Sequence, residues 1–496
     1  AGRRFGKEMS MGKNLAILPI KTPLGFYFYE TNRNEVVAVN KELYDYISAV
    51  LSGNVEIISS TAAEIKEEYI NLEECGYLQP FKIYKIEHPL TNQIEDLIMR
   101  RMDKITLQVT QNCNLRCSYC IYSENSNLGQ RSHSSSVMSF ETAQRALDFY
   151  REHSIDSDLI SIGFYGGEPL LAYPLIVKIV SYAETIFEGK PINYSITTNA
   201  TLLTDSMIDY LIEKEFNVLI SIDGPEKIQN ANRKFPDGRG SYDIVINNIR
   251  KFYSKISQKS KKISISMVVD PAQDYSEIIK LFDEPELKNA DLNYTFIEED
   301  AQYLKPTEEY IVKYTYDMFL TLVSHFRENE LVVKSKLVKT DLDAMIDGNK
   351  RFKMNLLGNI NAPSGPCLPG KLRMLVNCFG EFYPCERVNE NSCMRIGSLD
   401  TGFDFEKINN ILNVGKIAEE DCKKCWAFSL CSICAKRTDD GGKMTDKRKK
   451  IACKDSKLIA YNKIMNKILA YENEVHMRKI TNRGMQNEET MHNSIY

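Results

Sequence analysis

Three closely spaced cysteines carry the clearest chemical signal in this sequence. Cys113, Cys117 and Cys120 are separated by three and then two residues in the run CNLRCSYC. Three thiolates on one loop can bind three irons of a four-iron cluster and leave the fourth iron open to a substrate. A structural zinc site normally has four protein ligands, and no histidine or fourth cysteine is near. The spacing therefore predicts an iron–sulfur cluster with one open iron.

A second motif, Gly166-Gly167-Glu168-Pro169, follows a predicted strand. Its glycines allow a ligand to approach the backbone, and its carboxylate can bind an ammonium group. Together with CxxxCxxC and Tyr119 before the third cysteine, this turn resembles the radical S-adenosylmethionine (SAM) superfamily. The resemblance implies that the open iron chelates the amino and carboxylate groups of SAM. It also implies that one electron from the reduced cluster cleaves SAM to a 5'-deoxyadenosyl radical, which abstracts hydrogen.

Other positions match the superfamily pattern more loosely. The matches that imply ribose and methionine contacts end the third and fourth predicted strands: Ser195, Thr197, Asn199, Ser221 and Asp223. Arg233, in the run NANRKF, matches a family arginine that pairs with the SAM carboxylate, and its planar guanidinium suits that partner. The alternative for each residue is a helix cap or a solvated side chain, and Asp223 also suits an ordinary turn.

A further group of cysteines lies between residues 367 and 453. Its members are Cys367, Cys378, Cys385, Cys393, Cys422, Cys425, Cys431, Cys434 and Cys453. Their spacing resembles the SPASM extension of peptide-modifying radical SAM enzymes. The resemblance implies two auxiliary clusters, one held by Cys422, Cys425, Cys431 and Cys453 and the other by Cys367, Cys385 and Cys434. Two residues separate Cys431 from Cys434 where the family has three, which puts the role of Cys434 in question.

The second auxiliary group has no obvious fourth ligand. Cys378 and Cys393 are candidates, or the site is open and a substrate thiolate binds the iron. Zinc is the alternative for the whole region, because CxxC-x5-CxxC supplies four thiolates, although zinc ribbons usually separate such pairs by about twelve residues or more. With the first cysteine group, the resemblance implies three [4Fe–4S] clusters. Cys75, alone in the run EECGYL, is expected to be an inert packing thiol.

Two charged features near these cysteines have alternative interpretations. Glu386 follows Cys385 in the run YPCER, where related formylglycine-forming enzymes have an acidic residue that is proposed to deprotonate the substrate. Glu386 is therefore a candidate base, with an ordinary exposed glutamate as the alternative. The run from Lys447 to Lys450 is typical of a solvated face, with electrostatic steering of an acidic peptide as the alternative.

An alternation of strands and helices from residue 101 to residue 300 must position the first cysteine group. The predicted strands are Ile105–Val109, Leu159–Tyr165, Ile192–Thr197, Val218–Ile222, Ile263–Val269 and Leu292–Ile297. Helical patterns separate them, which predicts a parallel sheet with right-handed crossovers. Six units make an α/β fold with a partial (β/α)6 TIM-like barrel, whose chemistry is expected at the C-terminal strand ends.

Other segments flank the predicted barrel. Three short strands and then helices at Lys41–Leu51 and Ala62–Glu74 resemble a winged-helix-like element that recognises precursor peptides, in which a leader peptide adds a strand to a sheet edge. The alternative is a barrel cap. The expected divisions are a tag or disordered extension (1–13), the recognition element (14–95), the barrel (101–300), a helical bridge without strands (301–360), the SPASM domain (361–455) and a C-terminal helix and tail (456–496). Within the last, Leu458–Ile480 is predicted to be helical and Thr481–Tyr496 to be frayed.

Composition limits the class of protein. A chain of 496 residues suggests about three domains. Its 63 Lys and Arg against 67 Asp and Glu leave a net charge of −4, which does not indicate nucleic-acid binding. No run of about 18 apolar residues predicts a membrane span. An odd number of cysteines, 13, without a recognisable signal peptide predicts a cytoplasmic, reducing environment.

The resemblance covers about residues 14 to 455 and implies a maturase that forms thioethers within a cysteine-rich precursor peptide carrying a leader sequence. Such an enzyme needs an electron donor such as flavodoxin or ferredoxin. Alternatives with the same radical chemistry are a carbon–carbon crosslink, epimerisation or formylglycine formation, the last disfavoured by the recognition-like N-terminus. A non-catalytic iron–sulfur electron carrier is a remote alternative, because it has no use for the GGEP turn or Arg233.

Overall fold

The computed structural model describes residues 14–120, 133–256, 263–299, 302–326, 335–351, 357–363, 365 and 367–492. The extension expected at residues 1–13 lies outside this part of the chain. The described chain begins with a three-stranded antiparallel sheet of β1 (Ile17–Lys21), β2 (Phe26–Glu30) and β3 (Glu35–Val39). Three helices follow: α1 (Lys41–Ser52), α2 (Val55–Ser60) and α3 (Ala63–Glu74). The strands and helices predicted for this segment are therefore present, with α2 as an additional short helix.

Both faces of the small sheet are covered, because successive side chains of a strand point to opposite faces. Phe28 packs with Leu43 of α1 and Tyr69 of α3. The neighbouring Tyr27 and Tyr29 face the other way and pack against a helix near the C-terminus. Of the two sheet edges, the outer edge of β3 is paired with no other strand in the described chain.

Six parallel strands form the centre of the molecule and lie in the order in which they occur along the chain. They are β5 (Ile105–Thr110), β6 (Ile160–Gly166), β7 (Ile192–Thr198), β8 (Asn217–Ser221), β9 (Ser264–Val269) and β10 (Asp291–Phe296), preceded by the two-residue β4 (Lys85–Ile86). The helices between them, with the one before β5, are α4 (Ile94–Arg100), α5 (Phe140–His153), α6 (Tyr173–Ile186), α7 (Asp205–Glu213), α8 (Glu226–Asn232), α9 (Tyr242–Lys255) and α10 (Tyr275–Ile278). All six predicted strands are found, and their bounds differ by one residue at most. The α/β fold predicted for this region is thus present.

The sheet continues past β5 with strands that the sequence did not predict. β14 (Met374–Val376) pairs in parallel with β5, and β15 (Glu381–Tyr383), β16 (Gly397–Ser398) and β17 (Gly402–Phe403) extend the sheet antiparallel, giving ten strands in all. These strands have two or three residues each, too few to show a period in the sequence. They attach the cysteine-rich region directly to the first barrel strand.

The segment from residue 301 to residue 360 was predicted to contain no strands, and this prediction was wrong. Its long helices are α11 (Glu308–Phe326) and α12 (Lys336–Arg351). However, β11 (Glu298–Glu299) pairs with β12 (Gln302–Tyr303), and β13 (Ile360–Asn361) pairs with β4. A two-residue strand is defined by its partner and not by its own sequence pattern.

The C-terminal helix is longer than predicted. After α13 (Phe405–Leu412) and α14 (Glu419–Lys423), helix α15 runs from Asp446 to His492. It therefore begins before the predicted start at Leu458 and includes Cys453, and its backbone stays helical over most of the tail that was predicted to be frayed. The first turns of α15 are mainly charged, so no apolar period marked them in the sequence.

One described segment, Pro169–Ile186, is long and apolar enough by composition to cross a membrane. It consists of α6 and the turn before it. Ile176, Ile179 and Val180 of this helix are fully buried in the main core. Packing against the sheet therefore accounts for the apolar character of α6.

Candidate active site

The first cysteine group lies on the loop after β5 and is bound to the GGEP turn by backbone hydrogen bonds. Gly167 N donates to Thr110 O at 2.9 Å, and Glu168 N donates to Asn112 O at 2.8 Å. A Cβ on Gly167 would lie 2.2 Å from Asn112 O, and one on Gly166, whose φ is +145°, would lie 2.1 Å from Thr110 O. Only glycine permits so close an approach. The glycines predicted to admit a ligand are thus required by the cysteine loop itself.

The carboxylate of Glu168 is buried and accepts three hydrogen bonds from the chain. Leu170 N and the hydroxyl of Thr198 donate to Oε1 at 3.0 and 2.7 Å, and Asn199 N donates to Oε2 at 2.7 Å. Burial raises the pKa of this carboxyl, although the three donors lower it. Glu168 therefore joins the ends of β6 and β7, and only Oε2 retains room for a further donor. Pro169 starts the buried turn that follows.

Asn199 reaches the cysteine loop from the end of β7. Its Nδ2 donates to Asn114 Oδ1 at 2.9 Å and contacts Cys113 Sγ at 3.9 Å. Burial, with smaller effects from the adjacent Glu168, Cys117 and Cys120, raises the pKa of Cys113 to about 12. The three thiols therefore lie close together, and a bound metal must supply the positive charge that favours their thiolate forms. Soft thiolates are the ligands that iron–sulfur clusters use, so the donor set fits this group.

Asp223 connects Tyr119, Arg233 and β9. The hydroxyl of Tyr119 and the Nε of Arg233 both donate to Oδ2, the latter at 3.0 Å, and Val268 N donates to Oδ1 at 2.9 Å. The guanidinium of Arg233 also lies 5.6 Å from the centre of the Tyr119 ring. Its terminal nitrogens donate to no described residue. Arg233 is therefore fixed through Nε, while the end that can bind a carboxylate remains available.

A cavity of about 420 Å³ lies inside the partial barrel. Residues from all six strands line it, so the sheet curves around it. Small polar side chains at alternate positions form much of its wall: Thr106, Ser195, Thr197, Asn217, Ser264, Ser266, Asn293 and Thr295. In the sequence this alternation is visible in runs such as NYSITT. Ser221, predicted beside SAM, lies at the end of β8 next to Ser266 and outside the cavity wall.

Charged residues close one side of this cavity. Glu386 accepts a hydrogen bond from Arg373 Nη1 at 3.2 Å, and both line the cavity with Lys104 and Arg387. Lys104 Nζ donates to Ser195 Oγ at 3.1 Å. Ser195 lies in the middle of β7, so the structure groups it with these charges. Sequence analysis missed Lys104, Arg373 and Arg387, which lie in no recognisable motif.

The structure brings Cys367, Cys385 and Cys434 together. Burial raises the pKa of Cys385 to about 11, and the nearby Glu386, Cys367 and Cys434 raise it further. The group therefore adjoins the side of the cavity that Glu386 lines. The members of this group are the three cysteines that the resemblance assigned to the second auxiliary cluster.

Cys378 and Cys393, the candidates for a fourth ligand, are not brought to this group. In the β14–β15 hairpin, Leu375 pairs with Tyr383, so Cys378 and Cys385 lie at opposite ends, roughly 15 Å apart at 3.3 Å per residue. The thiol of Cys378 donates to Gln108 O at 3.1 Å. That of Cys393 donates to Asp439 Oδ1 at 3.5 Å. Both thiols are therefore occupied elsewhere.

Cys422, Cys425, Cys431 and Cys453 line a separate cavity of about 30 Å³. Burial raises the pKa of Cys453 to about 11, as do the other three cysteines of the group. Within the described chain, no three His, Cys, Asp or Glu side chains form a site for a single metal ion. A four-iron cluster makes no such demand, because each thiolate binds a different iron.

The basic run beside this group is not the solvated face that the sequence predicted. Arg448 and Lys449 are 6% and 1% exposed. Lys449 Nζ donates to Cys422 Sγ at 2.7 Å. The run forms the first turns of α15, and helical geometry turns two of its four cations inward, which a charge count cannot show.

Comparison with known proteins agrees with this site. Residues 107–284 match the family model of the Radical SAM superfamily, so this part of the chain is a radical SAM domain. The chain is 25% identical over 350 residues to a cysteine-type anaerobic sulfatase-maturating enzyme of Clostridium perfringens, covering 66% of this chain and 87% of that protein. It is 31% identical over 197 residues to the radical SAM cyclopropyl synthase TigE of Paramaledivibacter caminithermalis, covering 36% of this chain and 41% of that protein.

Solved structures show the same fold. Native anSMEcpe with bound AdoMet aligns with a TM-score of 0.55 and 21% identity, covering 75% of this chain and 99% of that one. Together these findings indicate a radical SAM/SPASM-type maturase. Members of the Radical SAM superfamily use SAM and a [4Fe–4S] cluster.

Proposed function

We propose that this enzyme forms thioether crosslinks within a cysteine-rich precursor peptide. The observation that supports this proposal is the three-cysteine group of Cys367, Cys385 and Cys434 beside the barrel cavity, with Glu386 between them. Three thiolates leave one iron of a four-iron cluster without a protein ligand. A substrate cysteine in the cavity would reach that position, and a crosslinking enzyme must hold such a sulfur near a reactive carbon.

The residues around the first cysteine group have distinct proposed roles. Cys113, Cys117 and Cys120 hold the SAM-binding cluster, the terminal nitrogens of Arg233 bind the SAM carboxylate, and Glu168 with Asn199 fixes the loop that carries the cysteines. When bound, SAM and its cluster supply a radical that removes a hydrogen atom from the substrate. The strands around the cavity shield the carbon radical from external hydrogen-atom donors, which would otherwise quench it.

Glu386 is the proposed base for the substrate thiol. Thioether formation removes one hydrogen from carbon and one from sulfur, and the proton from sulfur needs an acceptor in the cavity. Glu386 lines the cavity, and Arg373 fixes one of its oxygens at 3.2 Å. The other oxygen can take the proton, and the remaining electron passes to an auxiliary cluster.

The N-terminal module is the proposed recognition element for the leader peptide. The unpaired outer edge of β3 offers backbone donors and acceptors along five residues, Glu35–Val39. An extended peptide can add a strand at such an edge. The module packs against α15 through the sheet face that carries Tyr27 and Tyr29. This contact would hold the captured peptide at a fixed distance from the barrel.

The proposed function also implies domain divisions, cofactors, an electron donor and a cellular location. The proposed divisions are recognition element (14–95), barrel (101–300), helical bridge (301–360), SPASM domain (361–455) and C-terminal helix (456–496). The enzyme would carry three [4Fe–4S] clusters, receive electrons from a flavodoxin or ferredoxin and act in the cytoplasm.

The test is to incubate the anaerobically reconstituted enzyme, SAM and a reductant with a cysteine-rich peptide, chosen from the reading frames that neighbour its gene. Each thioether lowers the peptide mass by two hydrogen atoms and protects one cysteine from alkylation. Fragmentation should then place each loss between a cysteine and a second residue. A peptide that loses hydrogen while all its thiols stay alkylatable would exclude thioether formation.

Formylglycine formation is the second candidate, favoured by the similarity over 350 residues to a sulfatase-maturating enzyme. A cysteine peptide with a sulfatase motif distinguishes the two. Formylglycine formation removes the sulfur and leaves an aldehyde, which a hydrazine reagent detects. A thioether keeps the sulfur and gives no aldehyde.

A further inference from the structure

One face of α15 presents three residues to the four-cysteine group. Lys449, Cys453 and Ser456 are four and three positions apart, so they lie on the same side of the helix. All three line the small cavity with Cys422, Cys425 and Cys431. The helix therefore contributes one thiol and, on either side of it, two hydrogen-bond donors.

Lys449 is a buried cation whose partners are sulfur and a backbone oxygen. Its Nζ donates to Cys422 Sγ at 2.7 Å and to Gly415 O at 3.3 Å. No carboxylate of the described chain pairs with it. A buried charge without a counter-charge costs several kcal/mol, on the order of what removal of one partner of a buried pair costs. The negative charge that balances Lys449 must therefore come from the cysteine group.

The two cations next to Lys449 in the sequence have carboxylate partners, unlike Lys449 itself. Lys450 pairs with Asp421 at 3.1 Å and with Asp446 at 2.8 Å. Arg448 lies 3.8 Å from Asp440. Both cations beside Lys449 in the sequence thus have carboxylate partners, and Lys449 alone of the three is directed at thiols.

Ser456 is the second donor. Its Oγ accepts hydrogen bonds from Ser432 N at 3.0 Å and from Ser432 Oγ at 3.3 Å. Because both acceptor positions are used, the hydroxyl hydrogen is directed elsewhere, and Cys431 Sγ lies 3.7 Å away. The serine is thereby oriented as a donor to sulfur.

We propose that Lys449 and Ser456 raise the reduction potential of the auxiliary cluster held by Cys422, Cys425, Cys431 and Cys453. This inference rests on the proposed function, because it requires a cluster at these cysteines. A one-electron reduction adds negative charge to a cluster and its sulfurs. A buried cation and hydrogen-bond donors at those sulfurs stabilise the reduced state more than the oxidised one. Lys449 has the larger effect because it carries a full charge.

The test is a redox titration of the reconstituted full-length protein, monitored by electron paramagnetic resonance. In every protein tested, Cys113, Cys117 and Cys120 are replaced by alanine to remove the signal of the first cluster. Lys449→Met should lower the midpoint potential of one auxiliary signal, and Ser456→Ala should lower it by less. Lys449→Arg should stay near the parent value. Lys457→Met is the matched control, because Lys457 lines the same cavity but is exposed to solvent, which screens its charge.

Equal potentials for Lys449→Met and Lys457→Met would overturn the inference. If Lys449→Met fails to retain its iron, Lys449→Gln and Ser456→Ala test the inference, since each changes one donor with little loss of volume. Unchanged midpoint potentials in both variants would also overturn the inference. Failure of thioether formation shows in the peptide mass and alkylation, and leaves these potentials unaffected. Absence of a cluster at the four cysteines looks different again. In that case Cys422→Ala would leave the iron content of the parent protein unchanged, whatever is found at Lys449.

Discussion

Asp223 shows how single residues organise the candidate SAM site. One of its carboxylate oxygens receives both the Tyr119 hydroxyl and Arg233 Nε, and the other receives a backbone N–H of β9. The sequence marked these three residues as separate SAM contacts. The structure pairs Asp223 with both Arg233 and Tyr119, and this pairing orients Arg233, because a buried carboxylate and a buried guanidinium satisfy each other best when paired.

Arg233→Lys is expected to weaken SAM binding. Lysine keeps the charge but has no planar group that can bind Asp223 and the SAM carboxylate at the same time. Loss of a charged hydrogen bond of about 1.5–3 kcal/mol corresponds to a roughly 10- to 100-fold increase in the Kd for SAM. Equilibrium dialysis with labelled SAM measures this effect. Arg239→Lys serves as the control, because Arg239 is exposed, pairs with the neighbouring Asp237 and lies over the Phe235 ring, away from Asp223. Equal affinity of both variants would contradict the assignment.

Glu386→Gln is expected to separate two steps of the reaction. Glutamine fits the same space and can keep the contact with Arg373 but cannot accept a proton, and loss of a general base costs about 10²- to 10⁴-fold. Crosslinking should fall by that factor while deoxyadenosine still forms. Chromatography of both products from one reaction gives the ratio. An unchanged crosslinking rate would leave Glu386 without a catalytic role.

At the scale of elements, the loop after β5 is positioned by contacts with β6 and β7. The GGEP turn supplies backbone donors to it, and Asn199 supplies a side chain. Three successive strands thus end in one network around the cysteines. This follows from parallel order, since strands adjacent in sequence are adjacent in the sheet and all end on the same side.

Gly167→Ala is expected to displace the cysteine loop. The added Cβ would meet a backbone oxygen at 2.2 Å, and relief requires a shift costing about 1–3 kcal/mol. Iron analysis of the variant should show loss of the first cluster. Gly189→Ala is the matched control: its φ of +85° makes alanine unfavourable by a similar amount, but nothing lies within 4 Å of the added carbon. Iron loss in the control alone would contradict the prediction.

Asp341 joins α12 to its neighbours and should give stability a pH dependence. Tyr294 of β10 and Tyr314 of α11 both donate to its Oδ2 at 2.5 Å. Burial raises the pKa of Asp341 in the folded protein, despite these donors. The folded state therefore binds the proton more tightly than the unfolded chain. Its contribution to stability is greatest below pH about 4 and declines as pH rises through the raised value.

Asp341→Asn should remove this part of the pH dependence. The amide keeps an oxygen for both tyrosines and cannot ionise, so the variant should gain stability relative to the parent as pH rises from about 4 to 8. Thermal unfolding at several pH values measures the difference. A constant difference between the two proteins across that range would show that the pKa of Asp341 is the same in the folded and unfolded states.

At the scale of the whole molecule, the cysteine-rich region is joined to the rest by short strands and by α15. Strand β14 extends the barrel sheet, while α15 packs through Ile464 and Ile468 against the N-terminal sheet. Tyr27 and Thr22 of that sheet also bond Glu472 of α15. A single helix thus connects the proposed recognition element with the four-cysteine group.

Removal of iron should loosen one part of the molecule selectively. Burial raises the pKa values of Cys422, Cys425 and Cys453, so these thiols are neutral without metal, and Lys449 then loses its counter-charge. Hydrogen exchange after anaerobic chelation should increase in α14 and the first turns of α15. Strands β6 to β8, buried in the main core, should remain protected. An equal increase in both regions would contradict this prediction.

The sequence by itself determined the order of the barrel strands, the CxxxCxxC group and the GGEP turn, because these depend on local spacing and on periods of several residues. The division of the later cysteines into two groups came from the resemblance to the SPASM extension. The sequence missed β14 to β17, the burial of Lys449 and the charged wall formed by Lys104, Arg373 and Glu386. Each of these depends on a partner far away in the chain. Only the tertiary structure could therefore show that Cys378 lies away from Cys385. It alone could also show that one face of α15 places Lys449 of the basic run beside the candidate cluster.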